Sequence, residues 1–240
     1  ARAEGHYPPH DINPYAYWQS TMTVVLPERD FDDVAAARYA LGNFIKPEGV
    51  LFGTFAADPS IEGKTLAEVA AERGEDPATL YLALIRESID KDADESIIGT
   101  SMDEPDIATM MRWPHANICS DGEIDGAHPR GAGSFARVLA KYVRSDGVLT
   151  LEQAVHRMSG LAAAHMGFSD RGTLKPGQSA DLVLFDPATV ADHATTKTPE
   201  ALASGFSGVW VNGQRVWDNG RSTGQFPGQP ILHAATVAKD

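Results

Sequence analysis

Cysteine and positive charge are both scarce in this sequence. Cys119 is the single cysteine among 240 residues, which excludes an intrachain disulfide and a cysteine-rich zinc module. The 20 lysines and arginines stand against 33 aspartates and glutamates, so the formal net charge is -13. Nucleic acid and anionic membrane surfaces are therefore not expected as partners, and the scarcity of cysteine indicates a cytoplasmic protein.

Long hydrophobic runs are also lacking. No apolar stretch approaches the roughly 20 residues that a membrane-spanning helix needs. The first residues, A-R-A-E-G-H, include neither an initiator methionine nor an apolar signal region, so we expect the chain to begin inside a longer sequence. What is present is an ordinary globular composition, with 42% hydrophobic and 22% charged residues.

Strand and helix patterns alternate up to about residue 170. Residues 7–20 are rich in proline and aromatic residues, which predicts a short strand followed by a structured loop. The apolar run 49–55 is typical of a strand. Two consecutive helices are then predicted, the first with a capping box formed by Thr65 and Glu68, the second capped by Asp76. The apolar face of the second helix is formed by Leu80, Leu84, Ile85 and Ile89.

The region around Asp121 has the pattern helix, strand, loop, helix. A helix is predicted over 104–112 with Asp103 as its cap, and a buried strand around Ile118. Asp121 falls where that strand gives way to a loop. The helix that follows is predicted from apolar residues at helical spacing: Phe135, Val138, Leu139, Tyr142 and Val143. Loops after the carboxyl ends of parallel strands are where such folds carry out chemistry, which makes Asp121 a candidate.

From residue 171 the pattern changes to strands. Asn212-Gly213 between two apolar runs predicts a tight hairpin, on which Trp210 and Trp217 are interpreted as packing residues. The sequence thus predicts a parallel α/β domain with a small β domain attached.

Several segments resemble the N-acyl-D-amino-acid deacylases of the amidohydrolase superfamily. The run S-D-G-E-I-D-G-A-H-P-R at 120–130 resembles their eighth-strand segment, and 170–186 resembles the stretch by which amidohydrolases leave the barrel for their β-sandwich. Residues 11–17 resemble the region of the seventh strand. Residues 63–77 resemble the insertion between the seventh and eighth strands.

The resemblance implies the C-terminal part of a TIM-barrel amidohydrolase with a helical insertion, plus part of a small β-sandwich domain. Residues 1–170 would be the end of the catalytic barrel, with the insertion at about 22–112. Residues 171–240 would belong to the β domain. A barrel needs roughly 250 residues by itself. The resemblance therefore also implies a missing N-terminal part, in the same or another chain, that carries most of the zinc ligands.

The activity implied is hydrolysis of the amide bond of N-acyl-D-amino acids, with water on a divalent metal, zinc, as the nucleophile. Asp121 would contact the metal and act as general base and then general acid. Arg130 would bind the substrate α-carboxylate, because a guanidinium can grip a carboxylate through two hydrogen bonds. Tyr15, Ser20 and His128 are the further substrate-binding candidates. Asn13 stands where the family usually has a tyrosine.

Other polar residues are given structural interpretations. His6 and His10 are predicted to be surface or loop histidines, because Pro8 and Pro9 exclude a helix that would bring them together. Cys119 is predicted to be a small core residue, and the acidic run 91–96 a solvated face.

Two alternatives stay open on the sequence. One is an amidohydrolase that acts on cyclic amides, similar to dihydropyrimidinase or dihydroorotase. The other is a barrel fragment without catalytic activity that serves as a structural partner.

Overall fold

The computed structural model describes residues 10–123 and 126–231. The strands of these residues are β1 His10–Ile12, β2 Tyr17–Ser20, β3 Val50–Phe55, β4 Glu95–Thr100, β5 Ala116–Ile118, β6 Leu182–Phe185, β7 Phe206–Val211, β8 Gln214–Asp218 and β9 Arg221–Ser222. The helices are α1 Val34–Asn43, α2 Leu66–Arg73, α3 Pro77–Asp90, α4 Glu104–Arg112, α5 Arg130–Arg137, α6 Leu151–Met158 and α7 Gly160–His165. This mixture of helices and sheets is an α/β fold, as the sequence predicted.

Strands β1 and β5 form a two-stranded parallel sheet in which Asp11 lies opposite Asn117. Ile12 and Ile118 on the other face pack into a core with residues of α4 and of the helix after Asp121. That helix, α5, continues as a wider π-helix over Val138–Ser145. The pairing places the loops that follow β1 and β5 side by side.

The segment between β1 and β5 contains α1, α2, α3 and α4, and it also contains a sheet that the sequence predicted only in part. Strands β2, β4 and β3 form a three-stranded antiparallel sheet, and α1, α2 and α3 share a core with it. The sequence predicted β3 but missed β2 and β4, which pair across about 80 residues.

The helix caps in the insertion follow the sequence closely. Thr65 and Glu68 form the capping box of α2, and Asp76 accepts a hydrogen bond from the Thr79 backbone N–H at the start of α3. Ile89, predicted on the buried face of α3, is exposed.

The helices on either side of β5 differ from the prediction in detail. Helix α4 spans the predicted residues, but the Asp103 side chain makes no capping hydrogen bond. Phe135 in α5 is exposed, whereas Val138, Leu139 and Tyr142 are buried as predicted.

The C-terminal segment folds as a four-stranded antiparallel sheet in the order β6-β7-β8-β9. Asn212 and Gly213 have φ angles of 46° and 76°, which is the left-handed backbone that a two-residue hairpin turn requires. Trp210 and Trp217 are partly buried on this hairpin, and Arg215 stacks over the Trp210 ring.

Two structural interpretations need correction. His10 lies in β1 and stacks on Trp113 with the ring centroids 4.0 Å apart, so it is a strand residue rather than a loop residue. In the acidic run, the Glu95 carboxylate accepts the Met22 backbone N–H, and burial raises the pKa of this carboxyl group. Cys119 is partly buried. His6 lies outside the described residues, and no described helix is long and apolar enough to cross a membrane.

Candidate active site

Asp121 lies in the loop after β5, in a backbone conformation that few residues adopt. Its φ angle is 51°, in the left-handed region, which aspartate tolerates better than most side chains. Gly122 lies directly against Gly131 in the first turn of α5, where a Cβ would collide with the backbone. The turn and the close approach together carry the chain back toward the start of α5.

The Asp121 carboxylate forms an ion pair with Arg130. Arg130 Nη1 lies 2.9 Å from Asp121 Oδ2. The two side chains differ sharply in exposure, since 61% of the Asp121 side chain is accessible and 8% of the Arg130 side chain. A largely buried guanidinium thus holds one oxygen of an open carboxylate, and the other oxygen can approach a ligand.

His128 is held next to Arg130 by hydrogen bonds at both ring nitrogens. Its Nε2–H donates to the Tyr17 carbonyl oxygen at 2.9 Å, and its Nδ1 accepts the Arg130 backbone N–H at 3.0 Å. Burial, together with the positive charge of Arg130, lowers the pKa of His128 from 6.5 to about 4. With only 3% exposure and both nitrogens engaged, His128 is a neutral support for Arg130, so the predicted contact with substrate does not fit its position.

Tyr15 is also buried, at 1% exposure. Its hydroxyl donates to Asp192 Oδ2 at 2.8 Å, which joins the loop after β1 to the C-terminal segment. Burial and the Asp192 carboxylate raise the pKa of Tyr15. The predicted contact between Tyr15 and substrate therefore does not fit the structure, in which this side chain anchors the loop.

Ser20 ends β2, and the residue before it reaches the Asp121 loop. Gln19 Oε1 accepts the His128 backbone N–H at 3.1 Å, and Gln19 Nε2 lies 3.5 Å from Glu123 Oε2. Sequence reasoning missed Gln19 and Glu123, because β2 itself was not predicted. The one local signal for Glu123 was its position two residues after Asp121.

A second polar group lies on the face of β1 and β5 opposite to Ile12 and Ile118. Asn117 Nδ2 donates to Asp11 Oδ1 and His165 Nδ1 donates to Asn117 Oδ1, both at 2.9 Å. Asp11 and Asp121 both contribute to raising the pKa of the Cys119 thiol, after the larger effect of burial.

The donor set fits a metal site in part. The open oxygen of Asp121 is a suitable ligand for zinc. Within residues 10–123 and 126–231, however, no group of three or more histidine, cysteine, aspartate or glutamate side chains could hold a metal ion. Asp121 therefore fits the role of one ligand in a site that needs further donors.

A cleft of about 440 Å³ lies apart from Asp121, between the insertion sheet and α5. Tyr17 and Arg137 line it, together with Thr195 and Thr196 of the C-terminal segment. Arg137 donates to the Pro14 carbonyl oxygen at 2.8 Å and to Glu104 Oε1 at 2.6 Å. Through these two hydrogen bonds the Arg137 guanidinium holds the loop after β1 against α4.

Comparison with known proteins agrees with the resemblance in the sequence. The amidohydrolase family model matches residues 30–217, and the chain belongs to this family. N-acyl-D-aspartate deacylase of Alcaligenes xylosoxydans is 41% identical over 175 residues, which are 72% of this chain and 34% of that enzyme. Within the amidohydrolases, the chain falls in the D-aminoacylase group.

Solved structures give the same result. A crystal structure of D-aminoacylase superposes with a TM-score of 0.77 and 34% identity, over 93% of this chain and 42% of that one. N-acyl-D-glutamate deacylase from Bordetella bronchiseptica, complexed with zinc and a phosphonate mimic of the tetrahedral intermediate, superposes with a TM-score of 0.75 and 36% identity. This match covers 92% of this chain and 42% of that one. Dihydroorotases match less of the chain, as in the Lactobacillus acidophilus enzyme, with 32% identity over 118 residues. The chain spans 34 to 44% of the deacylases it matches.

Proposed function

We propose that this chain is the C-terminal part of a zinc-dependent, cytoplasmic N-acyl-D-amino-acid deacylase. Residues 1–170 would contribute the last two strands of a TIM barrel, β1 and β5, with the insertion at about 22–112. Residues 171–240 would contribute to a β-sandwich. The parallel pairing of β1 with β5 and the antiparallel C-terminal sheet support this division.

The observation that carries the proposal is the open Asp121 carboxylate held by the buried Arg130, in a chain of the D-aminoacylase group. Asp121 would take a proton from the attacking water and pass it to the leaving amine. The fixed position of the carboxylate at the end of β5 suits this transfer, since a general base must stay within hydrogen-bond reach of the water.

The other residues of the site would bind and orient the substrate. Arg130 has further N–H groups beside the one that contacts Asp121, and these would donate to the substrate α-carboxylate. Ser20, partly exposed at the end of β2, would donate a hydroxyl hydrogen bond from the opposite side. His128 and Tyr15 would act indirectly, by holding Arg130 and the loop after β1.

Asp121 would supply one zinc ligand, and the remaining ligands would come from an upstream segment in the same or another chain. The chemistry that zinc supplies when bound is Lewis acidity at the amide carbonyl and a lowered pKa for water. The zinc complex of the Bordetella bronchiseptica relative supports the choice of metal.

The test is an assay of the protein together with its upstream segment. We expect turnover of N-acetyl-D-amino acids, little turnover of the L enantiomers, and none of hydantoins or dihydroorotate. Preferential turnover of the cyclic amides would support the dihydroorotase-like alternative. Absence of metal and of all hydrolysis in a folded preparation would support the non-catalytic alternative.

A further inference from the structure

We propose that Gln19 is a positioning residue, whose side-chain amide holds the chain before Arg130 against the insertion sheet and thereby places Arg130 for the substrate carboxylate. The insertion sheet is the three-stranded sheet of β2, β4 and β3. Gln19 lies in β2, and its side-chain hydrogen bonds to described residues reach His128 and Glu123. Its action on the site is therefore indirect. The inference rests on the proposed function, in which Arg130 binds the α-carboxylate.

The chain before Arg130 packs against the insertion sheet through two neighbouring residues. Ala127 lies against Gly53 of β3, where a Cβ on the glycine would be only 3.0 Å from the Ala127 Cβ. His128 follows, and its Nε2–H donates to the Tyr17 carbonyl oxygen of β2 at 2.9 Å. The sheet therefore forms the surface on which this part of the site rests.

The Gln19 amide contacts this part of the chain at two points. Its Oε1 accepts the His128 backbone N–H at 3.1 Å, and its Nε2 lies 3.5 Å from Glu123 Oε2. Gly126 lies against both side chains, since a Cβ on it would come within 3.5 Å of Gln19 Oε1 and of Glu123 Oε2. The contact with Glu123 is long for a hydrogen bond, so the bond to His128 contributes more. One amide thus ties residue 123 to residue 128.

The bond to His128 is passed on to Arg130. Nδ1 of His128 accepts the Arg130 backbone N–H at 3.0 Å, so one residue bonds Gln19 through its backbone and Arg130 through its ring. Arg130 in turn contacts the Asp121 carboxylate at 2.9 Å. Because Gln19 is partly exposed and lies outside the apolar core, its replacement should loosen the start of α5 without unfolding the sheet.

The experiment swaps the side chains at positions 19 and 123, in the protein with its upstream segment. Gln19→Leu removes both contacts of the amide. Gln19→Glu keeps an acceptor for the His128 N–H but sets a second carboxylate against Glu123. The swapped variant, Gln19→Glu with Glu123→Gln, restores an amide–carboxylate pair and the original net charge. The control is Gln214→Leu, which makes the same change at an exposed residue of β8.

Hydrogen exchange of the backbone tests the contact without an assay of activity. Gln19→Leu should speed exchange in the peptide that contains residues 126–130 by about fivefold, as expected for loss of one hydrogen bond. Gln19→Glu should change the rate in the same direction. The swapped variant should return to the original rate, and Gln214→Leu should not alter it. Comparison of Gln19→Glu with the swapped variant keeps the test valid even if Gln19→Leu does not fold.

Kinetics on N-acetyl-D-methionine and its α-carboxamide show whether the effect passes through Arg130. Gln19→Leu should raise KM for the acid about fivefold and change KM for the carboxamide little, because only the acid carries the group that Arg130 binds. The swapped variant should recover the original KM for the acid. A variant that merely lost folded protein would lower kcat for both substrates and leave both KM values unchanged.

Two results would overturn the role of Gln19. One is unchanged hydrogen exchange in folded Gln19→Leu, or a swapped variant that stays as defective as Gln19→Glu. The other is an equal change, or no change, in KM for the acid and the carboxamide. Failure of the unaltered protein to hydrolyse any N-acyl-D-amino acid would instead reject the proposed function, and hydrogen exchange would still decide whether Gln19 holds residues 126–128.

Discussion

Asp121 and Arg130 are nine positions apart in the sequence, and their side chains meet at 2.9 Å across the turn between β5 and α5. The Asp121 side chain is open to solvent, whereas the Arg130 side chain is almost fully buried. An exposed surface ion pair would contribute little energy or geometry. Here the buried guanidinium is held through its backbone by His128, so the carboxylate is oriented by a rigid neighbour.

Replacing Asp121 with asparagine should abolish turnover while preserving the fold. Asparagine has a similar shape but cannot accept a proton, so kcat should fall by roughly 100-fold or more. Steady-state kinetics and circular dichroism on the metal-loaded protein with its upstream segment would check this. Asp90→Asn, at an exposed position in α3, is the matched control. Near-normal kcat in a folded Asp121→Asn protein would reject Asp121 as the general base.

Replacing Arg130 with methionine should separate binding from chemistry. Loss of the guanidinium should raise KM for N-acyl-D-amino acids much more than KM for the matching α-carboxamides. Any loss of Asp121 orientation should lower kcat for both substrate types alike. Kinetics on the paired substrates distinguishes the two effects. An equal increase in KM for acids and carboxamides would contradict a direct contact between Arg130 and the carboxylate.

Stability should fall between pH 6.5 and pH 4 because of His128. The unfolded histidine binds a proton below about pH 6.5, whereas the folded pKa is lowered to about 4. The stabilising contribution of neutral His128 is therefore fully present above pH 6.5 and is lost as the pH falls through 4. The total is on the order of 3 kcal/mol.

Urea unfolding of the protein with its upstream segment, at pH 7 and pH 5, measures this loss. In His128→Gln, the part of the loss that arises from His128 should disappear, although the variant should be less stable at pH 7. His156→Gln, at an exposed position of α6, should retain the full pH dependence. The same pH dependence in all three proteins would show that His128 titrates normally.

Residues 1–240 expressed alone should be aggregated or partly folded and should bind no stoichiometric zinc. Among the described residues, β1 and β5 pair only with each other, so the outer edge of each lacks a strand partner. Leu182, Val183 and Leu184 of β6 are exposed at the edge of the C-terminal sheet. Unpaired edges and exposed apolar strands favour association.

Size-exclusion chromatography and metal analysis would check this prediction, with the upstream segment co-expressed as the comparison. Co-expression should yield a dispersed, zinc-loaded deacylase. A monodisperse monomer with a cooperative thermal transition from residues 1–240 alone would show that these residues form an independent domain.

Local sequence signals predicted much of this fold. The caps at Thr65 and Asp76 and the Asn212-Gly213 turn act within a few residues, so their consequences can be derived from the sequence alone. Strands β2 and β4 could not be derived in this way. Their pairing joins Ser20 to Ile97, and neither segment has a strong local strand pattern.

In the candidate site, too, features set by the local sequence were predicted and features set by distant residues were not. Asp121 was predicted from the strand and loop around it and from the resemblance to the deacylases. Burial of Tyr15 and His128 was not, because it depends on partners far away in the chain, such as Asp192. A sequence pattern places a residue on an element, but the neighbours of that element decide whether its side chain reaches the substrate.

The bond between Tyr15 and Asp192 also bears on how the protein is made. It closes a loop across 177 residues, and contacts of such long range form slowly because the intervening chain must first be ordered. A ribosome that adds 5–20 residues per second needs on the order of ten seconds or more to reach Asp192 after Tyr15. Until then Arg137, which donates to the Pro14 carbonyl oxygen, can hold the loop after β1, and the second anchor at Tyr15 forms only after Asp192 has been added.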